Sequence, residues 1–274
     1  MKFEYLIMNN NIRFELSFKN ISQLENKLNF CKLHNINNIN IPCKGLIKKE
    51  LFNSTIKYIS KNFDEFNVTY HYSLYHQYSK NKDKSYQDFL DFVKNSQFNR
   101  IYNILLVSGS NKKKNFDSVE VLDCLKKEKN LKVKLGAAYN PYLKKFYNIS
   151  SERERFERKF STGLINSIWF QYGTDIKVLE NEVTYIKKVA KDNKLNLFGS
   201  LFIPSNQFIA RFKFRPWKEV YISEKFLYAL DKFFDFTSDL VSFYKSNNIT
   251  PIIESDFSSS EKLDSVYSFL ENER

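Results

Sequence analysis

Several side chains in this chain have types and settings that could do chemistry. Glu15 stands inside an apolar run, between Phe14 and Leu16. A carboxylate there is costly to bury unless it is paired or kept protonated, and a protonated carboxyl suits a general acid. The alternatives are a structural carboxylate at a barrel bottom or an outward-facing residue. His71 lies in YHYS, where a histidine either packs in a core or meets a ligand. Ser108-Gly109-Ser110 forms a small, flexible turn whose backbone N–H groups can approach an anion or a ring edge. Ala137 and Ala138 make room, and Tyr139 can stack or donate a hydrogen bond. Arg155 and Lys159 share a helical face with Arg158 beside them, so the cluster either holds phosphates or forms a solvated charged helix. Gln171 ends the stretch STGLINSIWFQ and can hydrogen-bond an amide-bearing ring.

These positions recur at the ends of short apolar runs. Candidate strands are 12–18, 38–41, 68–72, 103–107, 132–137, 167–171, 196–201 and 249–253. Between them run amphipathic patterns: Ile21, Leu24, Leu28 and Cys31 share one helical face, as do Phe89, Phe92 and Val93, and Val178, Leu179, Val183 and Ile186. Ser151 and Glu154 have capping-box spacing. The basic, aromatic segment 208–220 reads as a loop with a short helix, followed by a helix over 223–244. Eight strands alternating with helices in a chain of 274 residues predict a (β/α)8 TIM barrel, as a single domain over 1–274. In such a barrel the carboxyl ends of the strands carry the site. No GxGxxG follows the first strand, which disfavours a Rossmann domain. The chain also lacks a nucleophile elbow, an HExxH and a P-loop.

Composition narrows the partners. There are 43 Lys+Arg against 31 Asp+Glu, a formal charge of +12, yet the lysines are dispersed through a chain rich in Asn, Lys, Ile, Phe and Tyr. A compositional drift therefore explains the charge better than a nucleic-acid partner, and attraction of polyanionic small molecules remains open. Three cysteines without a CxxC give neither a metal signature nor a disulfide framework, so no metal site is expected. The first residues are too polar for a signal peptide, and no run reaches about 18 apolar residues. The expectation is a cytoplasmic protein with no membrane span.

The strand-end motifs, taken in order, resemble the methylenetetrahydrofolate reductase family over about 200 residues. FELSF at 14–18 resembles its FEFFPP strand, YHYSL at 70–74 its PHLTC, and NILLVSGS at 103–110 its NILALRGD. GAAYNP at 136–141 resembles VAAYPE, and RFERKFSTG at 155–163 resembles LKRKVDAGA. IWFQYGTD at 168–175 resembles ITQFFFD, and FGSLFIPSNQF at 198–208 resembles PGILPVSNF. The resemblance implies a (β/α)8 barrel that binds FAD and passes a hydride from NAD(P)H, through the flavin, to 5,10-methylenetetrahydrofolate. It implies that Glu15 is the general acid that helps open the imidazolidine ring. Cofactor contacts fall on His71, Ser108, Gly109, Ser110, Ala138, Tyr139, Arg155, Arg158 and Lys159, and folate contacts on Glu15, Ser110 and Gln171. The chain departs from the family where the arginine and aspartate of LRGD become Ser108 and Ser110, and where the final strand, TPIIESDFSS, lacks the family's arginine. A barrel that keeps the folate site without flavin, as a one-carbon enzyme or as a non-catalytic subunit beside a partner, is the alternative. A homo-oligomer is also compatible.

Overall fold

A computed structural model describes residues 12–79, 81–109, 117–128, 131–146, 152–191 and 194–271. Eight parallel strands close into a barrel in the order β1 to β8: Arg13–Glu15, Asn38–Ile41, Asn67–Ser73, Asn103–Val107, Lys134–Tyr139, Ile165–Phe170, Asn196–Leu201 and Ile249–Ile253. The fold is the expected (β/α)8 barrel. Ten helices are described, α1 to α10: Ile21–Leu33, Lys49–Asn62, Lys82–Lys94, Ser118–Leu125, Glu152–Ser161, Ile176–Ala190, Asn206–Phe214, Glu224–Leu227, Leu230–Ser246 and Ser260–Glu271.

Side-chain caps start half of the described helices. Asn20, Asn81, Asp117, Asp175 and Ser205 each sit in extended backbone and accept an N–H from the first turn of α1, α3, α4, α6 and α7. Such side chains satisfy donors that a helix start leaves orphaned. Asp117 forms a full capping box with Glu120. Each helix then buries one face: Leu24, Leu28 and Cys31 on α1, Phe89, Leu90 and Val93 on α3, and Leu179, Val183 and Ile186 on α6.

Two expectations need correction. The helix expected over 223–244 is broken at Tyr228–Ala229 into α8 and α9, because Ala229 adopts extended backbone at φ −140°. The break lets Phe226 of α8 fold back on Phe233 and Phe236, with ring centroids 5.5 and 4.9 Å apart. The segment 208–220 is helical earlier than expected, because the Ser205 cap starts α7 at Asn206. Ser151 of the proposed capping box and Ser110 lie outside the described residues.

The chain divides into two compact units, one formed by Arg13–Ala138 and Arg155–Ile168, the other by Tyr139–Glu154 and Trp169–Arg274. In the first, register sets which side chains leave the sheet away from the helices. Glu15 pairs with Asn40, Asn40 with Thr69, Thr69 with Asn103, and His71 with Leu105. The alternate residues meet the helices: the Tyr70 ring packs edge-on to Phe52 of α2, and Tyr72 packs on Phe89 of α3. Period-two alternation therefore puts Arg13, Glu15, Asn38, Asn40, Asn67 and His71 on the inner face. In the second unit Gly199 lies against Tyr244 of α9, so its neighbours Phe198 and Ser200 take the inner face. Trp169 stacks on Phe198 at 4.1 Å and shares that face, and Gln171 follows it by two residues.

Candidate functional site

At the carboxyl end of β1 the first unit holds a nearly dry carboxylate beside a lysine and a histidine. Glu15 is 4% exposed in its side chain; Lys44 binds Oε1, and His71 Nδ1 lies 3.6 Å from Oε2. Lys44 comes from the loop after β2 and His71 from β3. An ammonium on one oxygen and an imidazole beside the other make a group through which a proton can pass.

Beneath it lies a polar floor. Arg13, two residues earlier on β1, donates from Nε to Asn40 Oδ1 at 2.8 Å, and from one terminal nitrogen to the carbonyls of Ile39 and Asn67 at 2.7 and 2.8 Å. Asn67 donates to Asn38 Oδ1 at 2.7 Å, and Asn103 to Asn67 Oδ1 at 3.1 Å. Arginine offers only donors, so Asn40 must turn its oxygen to Arg13. That leaves Asn40 Nδ2 buried without a hydrogen-bond partner among the described residues. A buried donor of this kind calls for an acceptor from water or a ligand. The run Asn38–Ile41 signals a strand, but nothing in sequence marks Asn40, Arg13 or Lys44 as part of this network.

The other expected residues of this unit are engaged within the protein. Ser108 Oγ accepts the backbone N–H of Ser118 at 3.0 Å and shares a hydrogen bond with its hydroxyl, so it anchors the start of α4. Gly109 has φ +82°, and a Cβ there would lie 2.6 Å from Tyr75 Cβ, so glycine is needed for close approach. Arg155 pairs with Asp117 at 3.0 Å and Arg158 with Asp123 at 2.9 Å, tying α5 to the capping residue and body of α4. Burial of Asp117 works against its charged form, yet hydrogen bonds from Arg155 and the Val119 N–H hold its carboxyl below the usual value. Lys159 is buried and donates to the carbonyl of Ala138 at 3.1 Å.

In the second unit, Tyr139 turns to the helix layer and donates its hydroxyl to Glu182 of α6. Arg153 clamps the same carboxylate through Nε and a terminal nitrogen, the latter at 2.8 Å, and lies over the Tyr185 ring. Gln171 continues the strand ladder, its N–H reaching the carbonyl of Tyr139 at 2.9 Å, while its Oε1 accepts the N–H of Tyr172 at 3.0 Å. Sequence reasoning passed over Glu254. It follows β8 directly, and its Oε1 accepts Ser200 Oγ of β7 at 2.6 Å. The signal was present: a polar residue at the end of an expected strand, the criterion that picked out Gln171.

Among the described residues no group of three His, Cys, Asp or Glu could hold a metal ion, and no helix is long and apolar enough to cross a membrane. Cys31 and Cys43 are buried free thiols, and burial pushes the Cys31 thiol up to about 12, which makes it a poor nucleophile.

No family model matches the chain, and no curated protein matches it in sequence. Solved structures do resemble it. An uncharacterized protein from Clostridium thermocellum that binds two copies of 5-methyl-5,6,7,8-tetrahydrofolic acid superposes with a TM-score of 0.62 at 13% identity, over 99% of this chain and 98% of that one. The catalytic domain of a hyperthermophilic chitinase from Pyrococcus furiosus gives 0.53 at 10% identity, covering 96% and 97% of the two chains. A thermostable aldo-keto reductase gives 0.54 at 13% identity, covering 94% and 87%. At such identities these structures share the (β/α)8 barrel with this chain, and the barrel supports many chemistries.

Proposed function

We propose that this chain is a reduced-folate-binding barrel serving one-carbon chemistry. The observation that carries the reading is the seat of Glu15: a buried carboxylate at the carboxyl end of β1, between Lys44 and His71. The ordered motifs that resemble methylenetetrahydrofolate reductases support it. So does the tetrahydrofolate bound by the Clostridium thermocellum protein of the same fold. In the reaction that the resemblance implies, NAD(P)H reduces 5,10-methylenetetrahydrofolate to 5-methyltetrahydrofolate. The opening ring needs a proton at the departing nitrogen, and Glu15 is the group placed to relay one, taking it from the Lys44 ammonium and passing it on.

The described residues do not fit FAD. A dinucleotide cofactor needs uncommitted donors for its pyrophosphate. Here Arg155 and Arg158 face Asp117 and Asp123, Lys159 faces the Ala138 carbonyl, Tyr139 faces Glu182, and Ser108 anchors α4. These engaged donors favour the flavin-free form of the folate reading.

Titration calorimetry of the purified protein with 5-methyltetrahydrofolate, combined with its visible spectrum, tests both points. Micromolar or tighter folate binding by a colourless protein is expected. Absence of folate binding would overturn the reading, and a flavin spectrum would overturn the exclusion of FAD. NAD(P)H consumption with 5,10-methylenetetrahydrofolate then separates an enzyme from a non-catalytic subunit.

A further inference from the structure

We infer that the exposed basic and aromatic segment between α7 and α9 docks on an anionic lipid surface, with Phe214 as the ring that enters it. The inference is independent of the folate reading and concerns the second unit alone. The segment belongs to the connection that leaves β7 and returns as α9. Every residue from 213 to 218, in the sequence KFRPWK, is exposed. Phe214 is 91% exposed and Tyr228 78%. A single exposed ring needs no explanation, but these two are set among five exposed cations: Arg211, Lys213, Arg215, Lys218 and Lys225. The Lys213 ammonium lies 3.9 Å from the centroid of the Tyr228 ring, which joins the end of α7 to the end of α8 in one patch. Among the described residues none of the five cations is in an ion pair, whereas Lys145, Arg153 and Lys262 of the same unit each face a carboxylate.

The patch has a firm base. The Trp217 ring packs against Phe202, Phe208 and Phe212, with centroids 5.0, 5.4 and 5.9 Å apart. The Arg215 N–H bonds the Arg211 carbonyl at 2.9 Å, and the Val220 N–H bonds the Trp217 carbonyl at 3.2 Å, so the turn after α7 closes on itself. The chain beyond it is tied down. Tyr221 bridges to Gly173, and the Tyr221 carbonyl accepts the Thr174 N–H at 2.9 Å. A segment already fixed in this way loses little conformational freedom on docking.

The form of the patch selects the partner. A ring that is 91% exposed stands proud of the surface and does not line a groove. A single-stranded nucleic acid is held in a groove that tracks its backbone, with rings along it. A folded partner needs a hole shaped for the ring and a carboxylate placed for each cation. The headgroup layer of a bilayer needs neither. It takes an apolar ring down to the acyl boundary, while long basic side chains beside the ring keep their charges among the lipid phosphates. Phe214 has no polar tip to keep it in water, and Lys213 and Arg215 flank it in sequence. The formal charge of +12 on the whole chain adds attraction to an anionic surface.

Co-sedimentation of the full chain with vesicles tests this. One set is two parts phosphatidylcholine to one part phosphatidylserine; the other is phosphatidylcholine alone. Binding to the first set and only weak binding to the second is expected. Phe214→Ser should weaken binding by roughly 10-fold, the worth of burying one ring. Lys213→Gln combined with Arg215→Gln should weaken it by roughly 25-fold at low salt, about 5-fold for each cation. These side chains are exposed, so both variants should keep the wild-type Tm. Lys57→Gln combined with Lys61→Gln, two exposed cations of α2 in the other unit, should change binding by less than about twofold. Equal losses from the two double variants would mean that dispersed charge alone holds the protein, and would overturn the inference. So would the absence of binding to the phosphatidylserine vesicles, or a Phe214→Ser variant that binds them like wild type. Retention of single-stranded RNA that depends on Phe214, without vesicle binding, would assign the patch to nucleic acid instead. None of these outcomes touches the folate reading.

Discussion

The two compact units build their strand ends from opposite materials. The inner face of β1 to β4 carries Arg13, Asn38, Asn40, Asn67, Glu15 and His71, joined by short polar contacts. The inner face of β6 to β8 carries Trp169 stacked on Phe198, with Ser200 beside them, and its order comes from rings packed against glycines: Tyr244 on Gly199 and Tyr142 on Gly173. At the strand ends Glu15 is met by Lys44, with His71 beside it, and Ser200 donates its hydroxyl to Glu254. A carboxylate flanked by proton-carrying groups suits proton transfer.

The sharpest way to break this contrast is to remove the charge at the base of the first unit. Arg13→Leu would strip the Asn40 side chain and the carbonyls of Ile39 and Asn67 of a buried donor. Each acceptor so orphaned costs energy, and a loss of about 4 kcal/mol is expected in urea unfolding. A loss below about 1 kcal/mol would mean that the polar floor is ornamental and that ring packing sustains both units.

Next comes chemistry. Glu15→Gln keeps shape and burial but removes the carboxylate through which a proton can pass. Turnover of 5,10-methylenetetrahydrofolate should fall about 100-fold while 5-methyltetrahydrofolate binding changes little. Equal turnover would strip Glu15 of its acid role and leave the seat as a structural ion cluster.

How far sequence foresaw this contrast depends on the kind of signal. Strands 38–41, 103–107, 196–201 and 249–253 match the structure in both limits. β1 was expected over 12–18 and pairs only over Arg13–Glu15, since pairing partners, not apolarity, end a strand. Glu15 and His71 were legible as polar residues in apolar runs, and the structure brings them together. Lys44 was not, because one lysine among many in a loop carries no periodic signal. Tyr139 was expected at the mouth, but its position alternates to the helix side, where Glu182 and Arg153 hold it. A single strand's sequence does not say which of its two faces is inner until its neighbours set the register.

The ring-packed unit can be broken without touching a charge. Gly199→Ala would drive a methyl group into the Tyr244 ring, within 2.4 Å of Cζ, and displace the hydroxyl that holds the Ser200 carbonyl. A loss of about 2 kcal/mol is expected, read as a lowered Tm, because a buried ring between a strand and α9 has little room to shift. An unchanged Tm would show that this seat is softer than the packing implies.

The smallest effect separates the units by pH. In the first unit Asp117 is paired with Arg155, and its carboxyl is held below the usual value. A depressed folded value means stability that is fully present above the unfolded pKa of about 4 and is lost as pH falls through the folded value. Asp117→Asn should therefore cost about 1 kcal/mol at neutral pH, a modest figure because the pair is partly solvent-screened, and nearly nothing once the wild-type carboxyl is itself protonated. Unfolding both proteins at neutral pH and in strong acid checks the sign. A difference that persists unchanged in acid would assign the loss to the capping hydrogen bond on Val119 and not to the ion pair with α5.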